Sequence, residues 1–140
     1  MGTESTTGGA ATAEIIFVDD MPQLLQIADA MFAQMGYAGR CFQGPADALN
    51  YVADQSAAEG CDSIAMLITD QSMPGMSGVA LIQAAQQICS NLPGVLSTSV
   101  PDDRMLQEYK AAGVTAVLAK PFSMAELRAL LEEHAGPRCG

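Results

Sequence analysis

The feature that most constrains this chain is a fivefold alternation of a short apolar run with a longer amphipathic one. Residues 15–18 (IIFV) have the length and β-branched, aromatic character of a buried strand. Pro22 then sits at a first-turn position, and Leu24, Ile27, Ala28, Met31 and Met35 recur at helical spacing until Gly36 stops the pattern. Residues 37–42 read as a weaker strand, and Gly44-Pro45 opens a second helix through Ala48, Leu49 and Val52. The Ala/Gly/Ser-rich stretch 55–62 reads as a long loop. Residues 64–68 (IAMLI) are the clearest strand, followed by a turn at 74–78 and a third helix marked by Leu81, Ile82, Ala85 and Ile88. A fourth strand is predicted at 95–98, its start weakened by Gly94. Pro101-Asp102-Asp103 caps a fourth helix carrying Met105, Leu106 and Tyr109, which Gly113 ends. A fifth strand covers 114–119. Ser123 and Glu126 form a capping box that starts the last helix, with Leu127, Leu130 and Leu131 on its apolar face.

Strict alternation of this kind predicts an α/β fold: a doubly wound, five-stranded parallel sheet covered by helices on both faces, because parallel strands need crossovers. Right-handed crossovers bring the carboxyl end of every strand to one edge of the sheet, where ligands bind in such folds. The chemistry is therefore sought at the strand exits. The first strand leads into Asp19-Asp20, the third into Asp70, the fourth ends at Thr98, and the fifth runs into Lys120-Pro121. One aspartate after a strand is commonly a turn or cap residue. Three carboxylates with a hydroxyl and an ammonium at one edge are not explained that way. Two carboxylates about 4 Å apart repel by roughly 4 kcal/mol at an effective dielectric near 20, so the cluster calls for a cation. Oxygen ligands without His or Cys select Mg²⁺ over zinc. Beside such a metal an aspartate oxygen can attack phosphorus, with Lys120 and Thr98 offsetting and hydrogen-bonding the transferred group.

These residues resemble the receiver domain of two-component response regulators over residues 14–135. The motifs are Val18-Asp19-Asp20, the run 67–78 (LITDQSMPGMSG), the Thr98 strand end, and Lys120-Pro121-Phe122. The resemblance implies the flavodoxin-like strand order 2-1-3-4-5, an order for which a receiver protein is a standard example. It implies that Asp70 accepts a phosphoryl group from a phosphohistidine on a histidine kinase or histidine phosphotransfer protein. Asp20, Asp70 and the backbone carbonyl of Ser72 would ligate Mg²⁺, with Asp19 acting directly or through water. Lys120 would contact the phosphoryl group and Thr98 would swing toward it, altering the surface of the fourth helix and fifth strand for a downstream protein partner. One departure stands out. Val117 occupies a position where the family usually carries Tyr or Phe, so the aromatic part of the usual switch is missing.

Alternatives are a phosphate-independent docking module and a Mg²⁺-dependent phosphatase of the haloacid dehalogenase type; the latter needs a second Asp where this chain has Ser72. No G-x-x-x-x-G-K-[ST] or G-x-G-x-x-G motif supports nucleotide binding. The 16 acidic and 6 basic residues give a charge of −10, which argues against direct contact with nucleic acid or anionic lipid. No run is long enough to span a bilayer and no signal peptide pattern opens the chain, so a soluble, cytoplasmic protein is expected. Cys41, Cys61, Cys89 and Cys139 match no metal spacing and read as ordinary reduced, cytosolic thiols, with a secreted disulfide scaffold as the minor alternative, and His134 reads as a surface residue. Residues 1–13 read as a flexible tail or linker and 136–140 as a frayed end. The setting is a free-standing regulator or the receiver module of a hybrid kinase.

Overall fold

The computed structural model describes residues 13–99 and 101–135. The tail expected at 1–13, except for Ala13, and the frayed end at 136–140 lie outside the described residues. Five strands and five helices alternate: β1 (Glu14–Val18), α1 (Pro22–Met35), β2 (Ala38–Phe42), α2 (Pro45–Glu59), β3 (Ile64–Asp70), α3 (Gly78–Ile88), β4 (Gly94–Thr98), α4 (Asp103–Ala111), β5 (Ala116–Ala119) and α5 (Met124–His134). All pairings are parallel and the strand order is β2-β1-β3-β4-β5, as predicted.

Because side chains alternate across a strand, each central strand feeds two cores. Ile16, Val18, Leu67 and Leu96 pack with α2, α3 and Tyr109 of α4 on one face. Ile15, Phe17, Met66, Ile68 and Val95 pack on the other, against Ala28 and Phe32 of α1 and Leu127 and Leu131 of α5. Complete burial of each large apolar side chain contributes about 1.5–3 kcal/mol, which explains why β1 and β3 have so little polar content. None of the described helices is long and apolar enough to cross a membrane.

Local signals act as expected at the helix ends. Gly36 ends α1 at φ 82°, its N–H bonding Ala33 and Phe32 carbonyls. The Asp102 carboxylate accepts the Met105 N–H at 2.8 Å, and the Ser123–Glu126 capping box is reciprocal.

Several expectations are corrected. Much of the predicted 55–62 loop is helical, because Ala57 and Ala58 favour helix until Gly60 stops it at φ 89°; a short 3₁₀ turn (Cys61–Ser63) follows. β3 runs on to Asp70, and Gly78 is the first residue of α3 instead of part of the turn. β5 starts two residues late because Thr115 instead clips β4: its N–H donates to the Gly94 carbonyl at 2.7 Å and its Oγ1 accepts the Gly94 N–H. Ile27 faces solvent while Ala28 is buried, and Ile88 and Leu106 are exposed. Cys61 and Cys89 are joined in a disulfide, with Cα atoms 5.6 Å apart, so the reduced-thiol reading fails for this pair. The α3 crossover returns the chain to the start of β3, a proximity that a separation of 28 residues does not signal. His134 is half-buried, 3.7 Å from Glu133.

Candidate functional site

The strand register aligns the exits that carry the chemistry. Val18 pairs with Thr69, Asp70 with Ser97, and Thr98 with Ala119, so Asp19, Asp70, Thr98 and Lys120 emerge side by side. Asp19 is completely buried. Its burial is tolerable because both oxygens are engaged: Oδ1 accepts the Met21 N–H at 2.9 Å and Oδ2 accepts from Lys120 Nζ at 2.8 Å. The Asp19 N–H in turn donates to the Phe42 carbonyl at 3.1 Å, which fixes the strand exit against β2.

Lys120 bridges the cluster. Its ammonium also donates to Asp70 Oδ1 at 3.1 Å. Burial lowers the Lys120 pKa, but the hydrogen bonds to Asp19 and Asp70 outweigh it and raise the value above the ordinary 10.5. The side chain is aimed by its backbone. The Lys120 N–H donates to the Thr98 carbonyl at 2.7 Å, and the Phe122 ring two residues on packs edge-on against Phe17.

Asp20 is exposed beside this pair. One carboxylate oxygen from each of Asp19, Asp20 and Asp70 falls within 4.8 Å of the others. All three offer carboxylate oxygen, the donor type that a hard cation such as Mg²⁺ takes. The donors fit Mg²⁺. Ser72 is exposed in the loop two residues beyond Asp70, and Thr98 is part-buried at the end of β4.

Two residues escaped sequence reasoning. Gln71 staples the loop that follows Asp70: its carbonyl accepts the Gly78 N–H and its side-chain Oε1 the Val79 N–H, both at 3.0 Å. Gly78 is required by proximity, since a Cβ there would stand 2.3 Å from the Asp70 carbonyl oxygen and 2.7 Å from Leu96 Cδ2. A glutamine after Asp70 carries no sequence signal; the glycine was visible as a turn former but its packing role was not.

The sequence matches the response regulator receiver domain family over residues 15–132, most of the described chain. The chain belongs to that family. This receiver is 24% identical over 121 residues to sporulation initiation phosphotransferase F of Bacillus subtilis, covering 86% of this chain and 92% of that protein. It is 25% identical over 130 residues to chemotaxis protein CheY-3 of Vibrio cholerae (86% of this chain, 89% of that protein). It is also 25% identical to sensor histidine kinase RcsC of Salmonella typhi, covering 95% of this chain but only 13% of that kinase. The solved Vibrio cholerae chemotaxis protein CheY4 superposes with a TM-score of 0.77 at 26% identity, covering 89% of this chain and 99% of that one. The receiver is thus a signalling module of two-component systems, and its acidic cluster could hold a metal ion.

Proposed function

We propose that this receiver is a phosphorylation-dependent switch in which Asp70 accepts a phosphoryl group from a phosphohistidine, in a Mg²⁺-dependent reaction. The observation that carries the proposal is the Asp19–Asp20–Asp70 cluster bridged by Lys120. Asp70 is the acceptor within it. Its Oδ1 is engaged by Lys120, whereas Oδ2 accepts no hydrogen bond among the described residues. Asp19 has both oxygens committed, and Asp20 stands at the solvent edge where a metal would enter.

In the transfer an Asp70 carboxylate oxygen bonds to phosphorus as the N–P bond of the phosphohistidine breaks, and the departing imidazole takes up a proton. Asp20, Asp70 and the Ser72 carbonyl would hold Mg²⁺, which supplies charge neutralisation to the phosphoryl oxygens when bound. Lys120 is freed from Asp70 to pair with the phosphoryl group while keeping Asp19, and Thr98 donates a hydrogen bond to it. Thr98 shares its backbone with the Lys120 contact, so its movement reaches β5 and α4, the surface offered to a downstream protein. Val117, part-buried against the α2–α4 core, makes this a switch without an aromatic rotor. The reading extends to a cytoplasmic chain that catalyses only its own phosphorylation and dephosphorylation. A histidine kinase or histidine phosphotransfer protein is the donor, in keeping with the names of two relatives, a phosphotransferase and a sensor histidine kinase.

The test is transfer of label. Mixed with a radiolabelled phosphohistidine protein and Mg²⁺, the wild-type chain should take up alkali-labile label while Asp70→Asn takes up none. Equal labelling of both would remove Asp70 from the reaction, and no labelling of either would favour a docking module.

A further inference from the structure

Cys61 and Cys89 lie at the edge of the sheet opposite Asp70, and their disulfide closes a ring over the segment that carries Asp70. That ring contains β3, the loop stapled by Gln71, and α3, so one bond ties the entry of the phosphoacceptor strand to the exit of the helix that follows it. The two sulfurs are not equivalent. Cys61 is exposed on the 3₁₀ turn, whereas Cys89, at the end of α3, is only 2% exposed. An open cleft of about 430 Å³ reaches the pair, lined by Asp62, Ser90, Asn91 and His134 together with both cysteines. Ile88, Leu92 and Pro93 add apolar wall to these polar groups, and a mixed cleft of this size suits a small thiol peptide.

We propose that Cys61–Cys89 is a reversible dithiol–disulfide site, opened and closed by a low-molecular-weight thiol of the glutathione class that enters this cleft and attacks Cys61. Thiol–disulfide exchange requires a thiolate to approach a sulfur along the S–S axis, and access selects which sulfur is attacked. The attacking thiolate bonds to Cys61 Sγ, the Cys61–Cys89 bond breaks, and Cys89 leaves as a thiolate that takes a proton from water. A second thiolate then attacks the sulfur of the bound thiol. It releases Cys61 and an oxidised small disulfide, so two electrons pass from two thiols to the protein. Closure is the reverse, with the small disulfide as oxidant. Cys41 does not compete: burial, aided by the Asp29 carboxylate, pushes its thiol up to about 11, which leaves almost no thiolate near neutrality. Opening removes the ring constraint on a separation of 28 residues, so the reduced protein is less stable although Asp70 and its companions are untouched.

The inference is independent of phosphoryl transfer and is tested on the wild-type chain. The folded protein is equilibrated across ratios of reduced to oxidised glutathione, quenched in acid and labelled with a maleimide, and peptide mapping assigns each label. Cys61 and Cys89 should become labelled together as the ratio rises and be protected again when it falls. The melting temperature should drop by on the order of 10 °C across the same transition. In the Cys89→Ala variant Cys61 should carry a glutathione adduct, while in Cys61→Ala the adduct on Cys89 should be at least tenfold rarer. A bond that resists excess reduced glutathione until denaturant is added would make it a permanent staple and overturn the proposal. Cysteines that never close at any ratio, or equal adducts in the two variants, would overturn it as well.

Discussion

Asp19 and Asp20 are adjacent in sequence and opposite in environment, and the difference sets what each substitution does. Asp19 is buried and doubly hydrogen-bonded; Asp20 is exposed and adds a third negative charge within 4.8 Å. Without a divalent ion that charge is repulsive. Asp20→Asn should therefore raise stability by about 0.5–2 kcal/mol in metal-free buffer. If Mg²⁺ binds the cluster as proposed, it should raise the melting temperature of the wild type and do so far less for Asp20→Asn. A destabilised Asp20→Asn would show that the cluster is not strained by repulsion. Lys120→Met leaves Asp19 buried with half its partners and should cost about 1–3 kcal/mol near neutrality. The folded-state pKa of Lys120 is raised above 10.5, so its contribution is complete below that value and is lost as pH rises through the folded value. Chemical denaturation should give a constant gap between wild type and Lys120→Met up to about pH 10, narrowing above it. Ser97 is the reverse case. Its hydroxyl is completely buried with no hydrogen-bond partner, so Ser97→Ala should be neutral or stabilising by up to about 1 kcal/mol. The acidic residues were legible because strand exits can be counted along the chain. The Asp19–Met21 and Lys120–Asp19 bonds were not, since they depend on side-chain direction across 2 and 101 residues.

At the scale of elements, the signals that act within one helical turn were the readable ones. Pro22, Gly36, Asp102 and the Ser123–Glu126 box all stand where the sequence put them, because a cap is a contract between residues three or four positions apart. Ser123→Ala should loosen α5 and cost about 1 kcal/mol by urea denaturation, with the loss confined to that helix in amide exchange. The misread stretches were settled by distant partners. Gly94, which weakened the predicted start of β4, is there because a Cβ would meet Ile82 of α3 at 2.4 Å. Gly78 meets backbone that cannot rotate away, at the Asp70 carbonyl. Gly78→Ala should therefore cost about 2–4 kcal/mol and slow phosphorylation by displacing Asp70, whereas a fully stable variant would contradict the close packing of α3 on β3.

Across the whole molecule, the parallel sheet was readable from the strict alternation of strand and helix, because parallel strands need crossovers, while the order of the strands came from the resemblance to the receiver family and agrees with the sheet observed. The disulfide obeys no such rule and was missed. The same architecture predicts where the molecule is most rigid. β1, β3 and β4 are buried almost throughout, while edge strands β2 and β5 are mostly part-exposed. Amide exchange should be slowest in β1 and β3 and fastest among the strands in β2 or β5. The most direct measurement is the intact mass of the chain after incubation with acetyl phosphate and Mg²⁺. The account predicts a single added phosphoryl group on the wild type, absent when Mg²⁺ is chelated and absent in Asp70→Ala. An unmodified wild type, or an adduct that survives Asp70→Ala, would contradict it.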